Sequence, residues 1–269
     1  MNPEKLSPLG EEESLFSNPE SLEPDFIPPI MPFRENETRE IAASISPLLE
    51  GKSGRNLLIT GKAGIGKTHA VKKVLEEFAE ESNAFVFYVN CWTHPTGKEI
   101  FREMCSQLKI LAPASAEESL LLEKIIERTG STPVAACFDE IDRAKEQGFL
   151  YAFLERFKTK SAILISNNSG FLAELDERIK SRLLPKEILF RPYSRLEIQG
   201  IVRERKKYAF YEDTWEKRAL ELIAEKASLK GDARLAVNLL KLAGLKAEQD
   251  ASRLVREEHV LKALEEISL

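Results

Sequence analysis

Residues Gly61-Lys62-Ala63-Gly64-Ile65-Gly66-Lys67-Thr68 fit the pattern G-x-x-x-x-G-K-[ST]. Glycines at such spacing let consecutive backbone N–H groups turn inward around a phosphate, and a helix opening directly after them adds partial positive charge. In that arrangement Lys67 reaches the β- and γ-phosphates of a nucleoside triphosphate, and the Thr68 hydroxyl is an oxygen ligand for Mg²⁺. His69, next along, is counted with the nucleotide-binding residues. The bland alternative is a glycine turn capping a helix. Four specified positions would match by chance in roughly one chain of this length in a hundred.

A second pattern lies about 70 residues on. Val134-Ala-Ala-Cys-Phe-Asp139-Glu140-Ile-Asp142 is an apolar run ending in paired acids. If it is a strand of a parallel sheet, its C-terminal acid lies beside the phosphate loop. Asp139 would then hold Mg²⁺, largely through water, and Glu140 would orient and deprotonate an attacking water. A solvated acidic turn is the alternative. The run AILIS ends in Ser166 and Asn167, where an amide could hold both the attacking water and a γ-phosphate oxygen. Taken alone, an Asn pair after a strand is an ordinary turn.

These residues need a scaffold that brings strand ends together. NLLIT (56–60), AFVFYVN (84–90), VAACFD (134–139), AILIS (162–166) and EILF (187–190) read as five strands. Between them the pattern predicts helices over 67–81, near 96–108 and over about 144–158, with a less regular stretch from 108 to Gly130. Short apolar runs separated by helices of this length make a parallel sheet covered on both faces, an α/β fold. Ile41, Ile45, Leu48 and Leu49 predict an earlier helix from Arg39 to Leu49, ended by Gly51 to Gly54. From Ser194 only helical spacing remains, as in Leu220, Ile223, Ala224 and Ala227, which places a boundary near Tyr193. The expected divisions are an acidic leader at 1–23, mobile or loosely docked, a nucleotide-binding domain at 24–193 and a helical domain at 194–269.

The chain has 269 residues, 43% hydrophobic and 31% charged, with a net charge of −5. No apolar run approaches the roughly 20 residues needed to cross a bilayer, and the N-terminus lacks the basic start and apolar stretch of a signal peptide. A membrane partner is therefore not expected, and the setting reads as cytoplasmic. Residues 1–25 carry −6, so the remaining 244 sum to +1; the near-neutral body leaves nucleic acid open as a partner. Cys91, Cys105 and Cys137 form no C-x-x-C pair and read as small core residues. His69, His94 and His259 show no metal-site spacing. Trp92 and Trp215 read as packing residues, and Arg203-Glu-Arg205-Lys206-Lys207 as a solvated helix face.

The phosphate loop, DEID, ISNN, LDERIKSRL and GDARLAVNLL, in this order, resemble an AAA+ ATPase of the initiator clade. Within that clade the sequence is most similar to the archaeal origin-recognition and cell-division-control proteins. PDFIPPIMPFRENE also resembles the start of that family, where the chain wraps the adenine. The resemblance runs from about Leu15 to Leu264. It implies a P-loop AAA+ domain with a five-stranded parallel sheet followed by an all-helical lid, with ATP or ADP and Mg²⁺ as cofactors. It makes Asn167 the first sensor, Arg234 of Gly231-Asp232-Ala233-Arg234 the second, and Arg182 the arginine finger acting on a neighbouring AAA+ subunit's nucleotide, with Arg178 the lesser candidate. Outside that context each would read as a surface arginine. A guanidinium in such a place neutralises charge developing on the transferring phosphoryl group.

The expected function is a slow ATP-hydrolysing switch in DNA replication initiation, origin recognition or helicase loading, with the lid reporting nucleotide state. In an archaeal source it would be nucleoid-associated. The alternatives are a non-catalytic nucleotide-binding structural subunit and another AAA+ loader such as a clamp-loader subunit. The sequence ends at the lid, so the family's winged-helix domain is expected to be absent. The region 92–130, where the family places a DNA-contacting helix, carries only scattered Lys98, Arg102, Lys109, Lys124 and Arg128. Duplex DNA is therefore expected to bind this chain weakly and without sequence choice.

Overall fold

The computed structural model of the chain describes residues 14–268. They form two compact units, one of residues 34–62 and 66–190, the other of residues 14–33, 63–65 and 191–268. The first holds five parallel strands, β1 (Leu57–Thr60), β2 (Phe85–Asn90), β3 (Val134–Asp139), β4 (Lys160–Ser166) and β5 (Lys186–Leu189), in the order β2-β3-β4-β1-β5. Its helices are α1 (Glu35–Ile45), α2 (Lys67–Glu81), α3 (Gly97–Gln107), α4 (Glu118–Thr129), α5 (Gly148–Arg156), α6 (Phe171–Glu174) and α7 (Glu177–Leu183). The five expected strands are all present. Every residue of β1 and β3 is buried, as both-face coverage requires.

Alternate strand positions serve different purposes. Leu58, Phe87, Val89, Ala136, Phe138, Ala162 and Leu164 belong to a core shared with Ile100, Phe101 and Met104 of α3, Leu121 and Ile125 of α4, and Phe149 and Phe153 of α5. The intervening positions, among them Tyr88, Asn90, Cys137 and Asp139, lie on the opposite face of the pleat, the face that α2 reaches. The exposed edge of β2 is covered by a side chain: Gln107 donates Nε2–H to Tyr88 O at 2.7 Å and accepts the Tyr88 N–H at Oε1 at 3.3 Å. The three cysteines are buried free thiols, in keeping with the core reading.

Several expectations are corrected. The stretch read as irregular contains α4, whose N-cap Glu117 makes no side-chain capping bond, so the usual start signal is missing. The helix expected over 39–49 runs from Glu35 to Ile45 because Pro47 has no N–H to continue the ladder; the Ser46 hydroxyl takes the Ala43 carbonyl at 3.2 Å instead. A 3₁₀ turn, Ser46–Glu50, follows and ends at Gly51 with φ 71°. The helix expected from 144 begins at Gly148, after a 3₁₀ turn over Ile141–Arg143. Trp92 is 61% exposed, with the Arg143 guanidinium 4.6 Å from its ring centroid, rather than packed inside.

The helical unit comprises α8 (Arg195–Ala209), α9 (Lys217–Ser228), α10 (Ala233–Gln249) and α11 (Glu257–Ser268). Residues 14–33 pack within it. Of the expected leader, residues 1–13 lie outside the described residues, while 14–23 are docked: Leu15, Phe16 and Leu22 are buried, and the Phe16 and Phe210 rings lie 4.5 Å apart. Gly244 of α10 permits this, since a Cβ there would lie 2.6 Å from Phe16 and 2.7 Å from Phe210. Ser17 and Asn18 both donate N–H to the Ala209 carbonyl at the end of α8. Arg205 is not part of a solvated face. It donates to Ser21 O at 3.0 Å and Phe26 O at 3.4 Å and lies over the Phe26 ring.

His259 is 1% exposed at the third position of α11. Its Nδ1 accepts the Arg256 N–H at 2.9 Å, taking the part a Glu or Gln plays in a capping box. Burial lowers its pKa, against the opposing pull of Glu258 and Asp250. A depressed histidine is neutral when folded and protonates more readily when unfolded. Its contribution is therefore complete above the unfolded value near 6.5 and is lost as pH falls below it. We expect the urea midpoint to fall between pH 7 and pH 5 in the native chain and to fall less in His259→Gln, which keeps the acceptor without titrating. Identical pH slopes for the two proteins would refute this account.

Candidate nucleotide-binding site

The glycine loop leaves β1 at Gly61 and enters α2 at Lys67. Gly61, Gly64 and Gly66 have φ of 146°, 78° and 90°, conformations that side-chain-bearing residues rarely adopt. Lys67, the first residue of α2, is 6% exposed. A buried ammonium needs acceptors for its N–H groups, and Lys67 donates to Gly61 O at 2.6 Å, Lys62 O at 2.7 Å and Asn167 Oδ1 at 2.8 Å. Ala63–Ile65 count with the helical unit, where Ala233 donates N–H to Gly64 O at 3.0 Å. A Cβ at Gly64 would lie 2.1 Å from Asp232 Oδ1. That carboxylate caps α10 by accepting the N–H groups of Arg234 and Leu235 at 2.8 and 3.1 Å. Arg234 itself is exposed.

Strand order explains which groups meet. β4 lies between β1 and β3, with Thr60 opposite Ser166, so the end of β4 is nearer to the loop than the acids of β3 are. Asn167 therefore reaches Lys67 directly. Asp139 is 2% exposed and meets the loop through α2: its Oδ2 accepts from Thr68 Oγ1 at 2.7 Å and from the Tyr88 hydroxyl at 2.7 Å, while Oδ1 accepts the Glu140 N–H at 2.8 Å. Two adjacent hard oxygens, Thr68 Oγ1 and Asp139 Oδ2, form a donor set that suits Mg²⁺, which takes one or two protein oxygens and completes its shell with phosphate and water.

Glu140 adopts φ 51° and ψ 44°, a left-handed conformation that costs a side-chain-bearing residue roughly 1–3 kcal/mol. Asp142 braces the end of β4, accepting the Ser166 hydroxyl at 2.7 Å and the Asn167 N–H at 3.2 Å. Burial, followed by the charges of Asp139, Asp142 and Glu140, pushes the Cys91 thiol up to about 12. Burial also raises Cys137 and Tyr88, so both keep their protons.

Lys67 with Asn167 and Thr68 with Asp139 thus form two hydrogen-bonded pairs from adjacent residues of α2, and His69 follows half-buried on α2. The finger candidates lie on α7. Arg182 pairs through Nε with Glu155 of α5 and stacks on Tyr151 at 4.8 Å, and Arg178 is exposed. Sequence reasoning missed Tyr88 and gave Asp142 no role. For Tyr88 the signal was available: in FVFYVN it is the polar-ended residue two before Asn90, on the same strand face.

The AAA domain family matches residues 50–168, and the Cdc6 AAA+ ATPase-type lid domain family matches residues 199–265. The chain is 34% identical over 269 residues to the ORC1-type DNA replication protein 1 of Sulfurisphaera tokodaii, covering 94% of this chain and 67% of that protein. It is 34% identical over 275 residues to the protein of the same name from Archaeoglobus fulgidus, covering 94% and 66%. Among solved structures it matches the Aeropyrum pernix ORC1 protein in complex with DNA, with a TM-score of 0.86 and 29% identity over 94% of this chain and 70% of that one. The chain therefore spans about two thirds of its relatives' length. The resemblance drawn from the motifs is borne out, and the initiator is favoured over the clamp-loader subunit: with its AAA domain followed by a Cdc6-type lid, the chain belongs to the ORC1-type DNA replication protein family of AAA+ ATPases.

Proposed function

We propose that this chain is the ATP-driven switch of a replication initiator, binding ATP with Mg²⁺ and hydrolysing it slowly to ADP and phosphate. The observation that carries this reading is the pair of bonds by which Lys67 and Thr68, at the start of α2, meet Asn167 after β4 and Asp139 at the end of β3. Gly61 to Thr68, with His69, would cradle the phosphates, and Lys67 would exchange its acceptors in the loop for β- and γ-phosphate oxygens. Thr68 and Asp139 would hold Mg²⁺, which neutralises charge on the phosphates. Glu140 would take the proton of the attacking water, and Asn167 would orient that water as the first sensor. Arg234 would act as the second sensor on the γ-phosphate.

Arg182 would serve in trans on the nucleotide of another AAA+ subunit, with Arg178 as the lesser candidate. Its pairing with Glu155 leaves it exposed on α7, as a residue offered to a neighbour must be. The relative named for its DNA complex supports duplex DNA as a partner. For this chain alone the body of net charge +1 and the engagement of Arg205 with backbone carbonyls favour a weak grip through phosphates. A cytoplasmic, nucleoid-associated setting accords with that role.

Lys67→Ala is expected to abolish nucleotide binding, whereas Glu140→Gln should keep binding and lose turnover, as read by a fluorescent ATP analogue and a phosphate-release assay. Equal loss of binding in both variants would remove Glu140 from the role of base. Because fingers supplied in trans contribute ~10³–10⁵ in rate, turnover per molecule should rise with protein concentration, and Arg182→Ala should flatten that rise while leaving binding intact. A verified monomer whose rate Arg182→Ala abolishes would place the residue in its own site. On a labelled duplex followed by anisotropy, binding through a few phosphates predicts an affinity that falls by roughly tenfold or more between 50 and 200 mM salt, alike for all sequences. Tight, sequence-selective binding at the higher salt would show that this chain itself reads bases.

A further inference from the structure

We propose that Tyr88 is the positioning residue for Asp139, its hydroxyl holding carboxylate oxygen Oδ2 while Lys72 holds its ring. The inference rests on the reading of Thr68 and Asp139 as the Mg²⁺ oxygens. Asp139 Oδ2 accepts two short bonds, from Thr68 Oγ1 and from Tyr88 Oη, each 2.7 Å. Were Thr68 to offer its oxygen to a divalent cation, Tyr88 would be the side-chain donor left on that carboxylate oxygen. The Glu140 N–H on Oδ1 fixes the other end, so the carboxylate keeps both its position and its rotation as one partner leaves.

The fold is arranged to make this contact. Tyr88 pairs with Cys137 across β2 and β3, and Asp139 lies two residues further along the same face. With strands about 4.8 Å apart and a rise of about 3.3 Å per residue, that diagonal spans about 8 Å between backbones. Serine and threonine are too short to cross it, and phenylalanine has no donor. Lys72, one turn beyond Thr68 on α2, places its ammonium 4.5 Å from the Tyr88 ring centroid, a cation–π contact that restrains the ring. The Gln107 amide holds the Tyr88 main chain by both its N–H and its carbonyl. Tyr88 is thus held at backbone, ring and hydroxyl, and the hydroxyl bond restrains the Asp139 carboxylate.

Tyr88→Phe keeps the ring and deletes the donor. Losing a bond to a metal-ligating carboxylate commonly weakens metal binding by about 10–100-fold. With Mn²⁺ as a paramagnetic probe and ADP present, we expect Tyr88→Phe to weaken Mn²⁺ binding about tenfold or more. Its affinity for ADP in EDTA should stay within about twofold of the native protein. Lys72→Met, which frees the ring and leaves the hydroxyl, should give a smaller loss of Mn²⁺ affinity and likewise spare ADP. Native Mn²⁺ affinity in Tyr88→Phe would overturn the proposal, as would an equal loss of metal-free ADP binding, which would mark a role in the fold alone. Absence of ADP-dependent Mn²⁺ binding in the native protein would instead overturn the metal reading of Thr68 and Asp139, and this inference with it.

Discussion

A lysine ammonium buried at the first residue of a helix sets the terms for the rest of the α/β unit. Leaving the Lys67 charge unpaired would cost several kcal/mol, so the loop must turn its Gly61 and Lys62 carbonyls toward it and β4 must deliver the Asn167 amide. The positive φ at Gly61, Gly64 and Gly66 is what lets the loop do so. Phosphate oxygens are stronger acceptors than the carbonyls they would replace. The same cage that stabilises the charge can therefore release it to a ligand.

The acids depend on this arrangement at one remove. Because α2 begins at Lys67, Thr68 faces β3 and meets Asp139, and Lys72 one turn later meets Tyr88. A single helix start thereby aligns two contacts on one strand pair. Asp142 provides the matching brace at the end of β4, where its carboxylate bonds Ser166 and Asn167. The loop, the end of β3 and the end of β4 are joined by side-chain bonds, so a ligand that draws Lys67 away from Asn167 acts on all three. The left-handed Glu140 follows Asp139 directly and carries backbone strain where the proposed chemistry needs a carboxylate.

In the helical unit the organising contact is aromatic. Phe16 packs on Phe210, and Phe210 meets Trp215 edge-on at 5.1 Å, over the bare backbone of Gly244. Arg205 then ties the following segment down by its carbonyls. A stretch whose acids and prolines suggest a loose leader is held because a few apolar residues, Leu15, Phe16 and Leu22, find a site that local composition does not reveal.

The phosphate loop, the five strands and the acid pair follow from sequence alone because each is a local pattern: glycine conformational freedom, apolar runs of strand length, and a fixed order of residue types. The same locality accounts for the family resemblance, which rests on short motifs in sequence order. Helix boundaries were legible where a motif fixed the start, as the glycine loop does at α2, and not where neither a motif nor a cap marks it, as at α4. Placement of β4 between β1 and β3 required the tertiary structure, since strand order depends on packing between residues about 100 positions apart. That order is why Asn167, rather than an acid of β3, meets Lys67. Tyr88 and Asp139, Arg182 and Glu155, and Arg205 and the backbone of residues 21–26 likewise pair across 51, 27 and up to 184 positions. Side chains of these types bond many partners equally well, and only the folded backbone decides which one lies within reach.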